Sequence, residues 1–285
     1  MPKQAKSSTV LEFDMDAIKR REREVARESD EEIMERLAER FQILTDMTKA
    51  VKEGSVRAMI VSGPPGVGKS FNVEAVLEKA DLFNKLADRK PKYEIVKGAM
   101  SAIGLYAKLY EFSNTGNVVV FDDCDSVLLD DLSLNILKGA LDSSKRRFIS
   151  WNTDSRLLRS EGVPNRFEFR GSAIFITNIK FEHVKSKKLR DHLDALESRC
   201  HYIDLQMDTT REKILRIRQI VRAGMLDDRD NLSEIAKDEV VDFITDNADR
   251  LRELSLRMVI KLADLRESFP TNWQAVAKTT CMRRV

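Results

Sequence analysis

The stretch IVSGPPGVGKSFN, Ile60 to Asn72, restricts this chain more than any other. Gly63, Gly68, Lys69 and Ser70 fit the pattern G-x-x-x-x-G-K-[ST]. RAMIVSG before it reads as a short buried strand, and SFNVEAVLEKA after it carries apolar residues at helical spacing. The loop therefore falls where a strand turns into a helix. Glycines let such a backbone curl so that successive N–H groups point inward, and the helix N-terminus adds positive potential to the same concavity. The ligand of a loop built this way is a polyphosphate. Gly63, Pro64, Pro65, Gly66, Val67, Gly68, Lys69, Ser70 and Phe71 are the candidate nucleotide-binding residues. Lys69 is placed to reach the β- and γ-phosphates, and Ser70 to offer its hydroxyl to Mg²⁺. The plain alternative, a Gly-Pro turn with a solvated lysine, does not account for the strand and helix on either side.

The rest of the composition mostly excludes. A chain of 285 residues can hold one large domain or two modest ones. Charged residues are 34% of it, yet the net charge is +2, so no global charge argument for nucleic acid or membrane exists, although local patches do. Cys124, Cys200 and Cys281 are scattered and odd in number, and His183, His192 and His201 have no partner at zinc-site intervals, which reads as reduced thiols. MPKQAKSSTV lacks the apolar core of a signal peptide, and no run approaches the roughly 18 apolar residues of a membrane span. The expectation is a soluble cytoplasmic protein with no membrane partner.

Along the chain, residues 1 to about 12 read as a loose tail, and the charged segment from Asp14 to Ala38 as a solvated helix or helix pair. Ile33, Leu37, Phe41, Leu44 and Val51 mark one helical face ending near Gly54. An alternation of strand and helix follows, with strands expected at 57–62, 93–98, 117–121, 172–177 and 201–205. Their uniformly apolar character argues for an α/β fold, a parallel sheet covered by helices on both sides. From Asp208 onward three amphipathic helical patterns replace the strands. The expected division is an extension at 1–34, a nucleotide-binding domain at 35–207 with an inserted hairpin at about 145–171, and an all-α lid domain at 208–285.

VVVFDDCD, Val118 to Asp125, is an apolar strand delivering acids at its carboxyl end, where open parallel sheets place their ligands. Asp122 is positioned to hold the Mg²⁺ shell, and its neighbour Asp123 to polarise the attacking water. Capping of the next helix suits Asp125 better than Asp122.

The order of phosphate loop, VVVFDDCD, IFITN, ESRC and a helical domain containing SLR resembles the AAA+ ATPase superfamily over about residues 35 to 268. The resemblance implies an ATPase using ATP and Mg²⁺ in a homo-oligomeric ring, such as a hexamer. It makes Asn178 sensor 1, the polar group that positions water near the γ-phosphate; a strand-ending turn residue is the alternative. LESRCHYIDL resembles the Ser-Arg-Cys box of clamp-loader subunits, making Arg199 a finger that reaches a neighbour's nucleotide; a helix-terminal structural arginine is the alternative. Arg257 resembles sensor 2, with Arg250, Arg252 and Arg266 close enough to compete. Two departures stand out. The second acid is Asp123 where the family usually has glutamate, which points to slow hydrolysis, and KGAMSAIGLY offers Met100, Ile103 and Gly104 but no aromatic in the place expected of a threading loop. Stand-alone AAA+ ATPases of tailed phages are a further, weaker analogy.

SSKRRFISWNTDSRLLRSEGVPNRFEFRGS alternates polar and apolar residues at both ends, as a β-hairpin with a long tip would. Lys145, Arg146, Arg147, Arg156, Arg159, Arg166 and Arg170 surround Trp151. That composition suits a surface that follows a nucleic-acid backbone and stacks a base, and equally a solvated hairpin with Trp151 packed beneath it. Two functions follow: a motor remodelling a DNA or protein partner, or a slow ATP-dependent switch that loads one. A small-molecule kinase would need neither the sensors nor ESRC.

Overall fold

The computed structural model describes residues 23, 25, 27–181 and 184–283. The expected tail, most of the charged segment before Asp30, and His183 lie outside the described residues. The described residues divide into two compact units, one holding Gln42–Gly63 and Lys69–Leu205, the other Pro64–Gly68, the described residues before Gln42 and those from Gln206 onward.

Helix α1, Asp30–Glu53, opens with a reciprocal cap in which the Ser29 hydroxyl accepts from the Glu32 N–H at 3.1 Å and Glu32 accepts from the Ser29 N–H at 2.7 Å. Ile33, Leu37, Phe41, Leu44 and Val51 are all buried, as their spacing predicts. The helix stops before Gly54, whose φ of +83° a side chain would resist.

The first unit is built on a parallel five-stranded sheet: β1, Ala58–Ser62; β2, Tyr93–Lys97; β3, Val118–Asp122; β6, Ser172–Thr177; and β7, His201–Asp204, in the order β2-β3-β6-β1-β7. Every residue of β1, β3 and β6 is buried. One face, through Ile60, Val119, Phe121, Ala173 and Phe175, packs on α3 (Ala102–Glu111), α5 (Asp131–Ala140) and α7 (Lys187–Glu197). The alternate residues Met59, Val61, Val120 and Ile174 are no more exposed, so both faces are covered. That explains why the strands read as unbroken apolar runs.

Register then places the functional ends. Ser62 of β1 lies opposite Thr177 of β6, and Asp122 of β3 opposite Ile176. Gly63, Asp123 and Asn178 therefore leave three neighbouring strands at the same edge of the sheet. Helix α2, Lys69–Leu86, follows the phosphate loop, and the short α4, Asp125–Leu128, follows β3.

The expected hairpin exists: β4, Phe148–Ser150, pairs antiparallel with β5, Arg166–Glu168, and α6, Arg156–Ser160, lies in its tip. Its side chains put Trp151 beneath the hairpin, the second of the two expected arrangements, and take Arg147 out of the basic surface. Arg147 is buried, donating to the Ala140 and Gly171 carbonyls at 3.0 Å each with its guanidinium over the Phe169 ring. Trp151 packs against Tyr106, ring centres 5.7 Å apart. Strand alternation decides this, because odd-numbered residues of β4 face the core.

The second unit is helical: α8, Thr210–Ile220; a π-helical turn, Val221–Met225; α9, Glu234–Asp246; α10, Leu256–Ser268; and α11, Trp273–Thr280. Side chains of Thr209, Ser233 and Ser255 cap α8, α9 and α10. Its core joins Val240, Phe243, Ile244, Val259, Leu262 and Trp273. No helix among the described residues is long and apolar enough to cross a membrane.

Candidate nucleotide site

In the first unit, the strand ends and the first turn of α2 bring five polar side chains together, three in one chain of hydrogen bonds and two in a separate pair. Lys69, in the first turn of α2, is buried and donates to the Gly63 carbonyl at 2.6 Å and to Asn178 Oδ1 at 2.8 Å. The Asn178 Nδ2 group donates to Asp123 Oδ1 at 2.8 Å. This orientation of the amide satisfies both neighbours, since ammonium only donates and carboxylate only accepts. Asp123 is exposed and sits at φ +53°, a left-handed conformation that aspartate tolerates better than most residues. Its N–H bonds the Ile176 carbonyl at 3.0 Å, which ties the end of β3 to β6.

Beside it, the Ser70 hydroxyl donates to Asp122 Oδ1 at 2.8 Å, and Lys97 Nζ stands 3.9 Å from the other carboxylate oxygen. Burial pushes the Asp122 carboxyl above its ordinary range, against the Ser70 hydrogen bond, and the Asp123 charge adds to the rise. Asp125 is also raised by burial; it accepts from Thr177 Oγ1 at 2.7 Å, opposing the rise. That bond gives Asp125 a structural partner on β6.

Ser70 and Asp122 supply one hydroxyl and one carboxylate, hard oxygen donors of the kind that Mg²⁺ accepts together with water and phosphate oxygens. A divalent cation would also relieve the cost of ionising Asp122. No cluster of three or more His, Cys, Asp or Glu able to hold a metal occurs among the described residues. The residues fit Mg²⁺ as a partner of a bound phosphate.

In the second unit, Gly66 has φ +71°, and a Cβ there would stand 2.6 Å from Ser255 Cβ. The Leu256 N–H donates to the Gly66 carbonyl at 2.7 Å. Gly68, at φ +99°, lies beside Leu256 and Phe41. Arg257 is exposed at the start of α10, its Cγ 3.7 Å from the position of a Gly66 Cβ, whereas Arg266 is engaged by Glu239 at 2.7 Å. Next to Gly66 and Val67 is a water-sized cavity of about 10 Å³, walled also by Met207, Arg216, Ile217 and Leu256. Arg216 is buried there, its guanidinium 3.5 Å over the Phe41 ring, and burial lowers its pKa to about 10. Its Nη1 donates to Gln219 at 2.7 Å, while its Nε has no partner among the described residues. The sequence carried no signal for this residue, an arginine within an ordinary amphipathic repeat.

The remaining sequence-predicted residues lie apart from these bonds. Phe71 is 79% exposed on α2. Arg199, just beyond α7, is half-buried; its Nη1 donates to the Ala195 carbonyl at 2.5 Å and its buried Nε has no partner among the described residues. No hydrogen bond or ion pair joins Arg199 to the Lys69 cluster among the described residues.

No protein-family model matches the chain. Among solved structures it is similar to NtrX from Brucella abortus, crystallised in complex with ATP, at a TM-score of 0.44 and 10% identity, over 89% of this chain and 53% of that one. It is also similar to a Drosophila ORC chain from a structure bound to DNA, at a TM-score of 0.41 and 12% identity, over 99% of this chain and 67% of that one. The chain thus spans about half the length of the NtrX chain. A protein of Enterobacteria phage T4, described as an uncharacterized 36.7 kDa protein in the nrdC-mobD intergenic region, is 32% identical over 256 residues, 89% of this chain and 77% of the phage protein. At that identity and coverage, the chain belongs to the family of this phage T4 protein.

Proposed function

We propose that the chain is an AAA+ ATPase that binds Mg·ATP through residues 63–71, hydrolyses it and works as a homo-oligomer on a macromolecular partner. The observation that carries this reading is the linkage Lys69–Asn178–Asp123, a cation for phosphate, a neutral polar group and a carboxylate joined by two 2.8 Å hydrogen bonds at one edge of the sheet.

In this reading, the loop N–H groups and Lys69 hold the β- and γ-phosphates, and Lys69 exchanges its bond to Asn178 for one to phosphate oxygen. Ser70 and Asp122 would hold Mg²⁺, which when bound would supply positive charge to the phosphates. Asn178 orients a water, and Asp123 accepts its proton as the water oxygen bonds to the γ-phosphorus and the bond to the β–γ bridging oxygen breaks. Arg199 serves a neighbouring subunit's nucleotide, and Arg257 the chain's own.

Asp123 favours slow turnover, and with it the switch or loader reading. Its side chain is a methylene shorter than glutamate, its backbone is pinned to β6, and Asn178 occupies one carboxylate oxygen. Single-turnover hydrolysis of labelled ATP by the wild type and by Asp123→Asn tests the assignment. The variant should bind Mg·ATP and lose about 10²- to 10⁴-fold in rate, the usual contribution of a general base. Hydrolysis at the wild-type rate would move the base elsewhere, with Asp125 next in line.

A further inference from the structure

The hairpin's core-facing side takes Arg147 and Trp151 out of contention as ligand contacts, but its other side has the reverse character. Phe148 and Ser150 on β4 pair with Glu168 and Arg166 on β5, and alternation puts these four side chains with Arg146 and Arg170 on the outer face. Phe148 is 38% exposed, and two guanidiniums lie over its ring, Arg166 at 4.5 Å and Arg146 at 4.9 Å from the centroid. Arg146 is matched by Glu168 at 3.1 Å, and Arg159 by Asp154 at 2.6 Å. Lys145, Arg156, Arg166 and Arg170 are exposed and form no ion pair among the described residues. Residues 143–171 hold seven Lys and Arg against three Asp and Glu, while the whole chain carries only +2, so the cationic excess is concentrated here.

We propose that this outer face binds single-stranded nucleic acid, with the Arg146–Phe148–Arg166 group stacking bases and Lys145, Arg156 and Arg170 following the phosphates. An exposed aromatic ring sheathed by guanidinium planes presents flat, polarisable surfaces, and unpaired bases stack on both kinds. In a duplex the base faces are already stacked on each other, and Phe148 would have nothing to meet. An acidic peptide would satisfy the cations and leave the ring unused. The proposal gives a partner to the ATPase reading, but it stands on residues that the nucleotide site does not use.

The test is fluorescence anisotropy of a labelled 30-nucleotide oligo-dT titrated with the full chain without ATP, repeated with a duplex of equal length and with a poly-glutamate peptide. Phe148→Ala should weaken oligo-dT binding about 5- to 150-fold, the range measured for base–aromatic stacking. Three phosphate contacts should cost about 20-fold in affinity from 50 to 200 mM salt, and Arg156→Gln with Arg170→Gln should flatten that dependence by roughly two-thirds. Both variants should melt like the wild type and keep its basal ATPase rate, so that loss of DNA binding is separable from loss of the nucleotide site. Oligo-dT affinity that is unchanged in Phe148→Ala, or matched by the duplex or the peptide, would overturn the proposal.

Discussion

Asp122 is the residue at which folding and ligand chemistry conflict. It is buried at the end of a strand with one hydroxyl donor, and its carboxyl holds a proton to higher pH than in the unfolded chain, whose reference value is 3.8. A raised native pKa means that the charged form is disfavoured in the fold. The resulting loss of stability is absent below pH 3.8 and develops as pH rises through the native value. Asp122→Asn removes this titration and keeps an oxygen for the Ser70 hydroxyl. Without Mg²⁺, thermal melts should show the variant above the wild type at pH 7 and level with it in acid; equal melting at both would mean that Asp122 is not strained. The variant should also lose the Mg²⁺-dependent part of ATP binding.

Among the elements, Gly66 offers a test of the helical unit alone. Alanine there meets a φ of +71°, costing about 1–2 kcal/mol, and sets its Cβ 2.6 Å from that of Ser255. Gly66→Ala should lower the melting temperature, and adding Ser255→Gly should recover the clash but not the dihedral cost, since glycine caps nearly as well as serine. No recovery would mean that the two residues are not in contact. The same scale shows what a sequence can reveal. β1, β3 and β6 were legible because burial on both faces makes them continuously apolar, and the C-terminal end of α1 because Gly54 follows the buried stripe. Helix α11 was missed: in WQAVAKTT only Trp273 and Ala277 face the core, too few to make a period. Trp151 stayed open between stacking and packing, and Arg147 counted among the surface cations, because composition does not say which side of a hairpin is wet. Lys69, Ser70 and Asp122 were legible from local motifs, but the bridge from Lys69 through Asn178 to Asp123 depends on β1, β3 and β6 being neighbours, a register no local pattern encodes.

For the whole molecule, the account requires that subunits complete one another's sites. Arg199 makes no bond to the Lys69 cluster within the described residues, and its Nε lacks a partner. Arg199→Ala subunits should bind ATP and fail to hydrolyse it. Mixing them with Lys69→Ala subunits at fixed total protein should restore part of the activity, because the latter still present Arg199 to a neighbour's nucleotide. A finger in trans is worth about 10³- to 10⁵-fold in rate where it has been measured, so partial rescue would be plain. A flat titration across all ratios, with mixed oligomers shown to form, would contradict the shared site.

All of this rests on residues 63–71 holding a triphosphate, and calorimetric titration of Mg·ATP into the folded wild type and Lys69→Ala tests that most directly. Removing one charged donor of about 1.5–3 kcal/mol per bond, with more than one phosphate oxygen in its reach, should weaken binding by at least about 100-fold. ATP affinity that is undiminished in a folded Lys69→Ala protein would contradict the assignment of this loop.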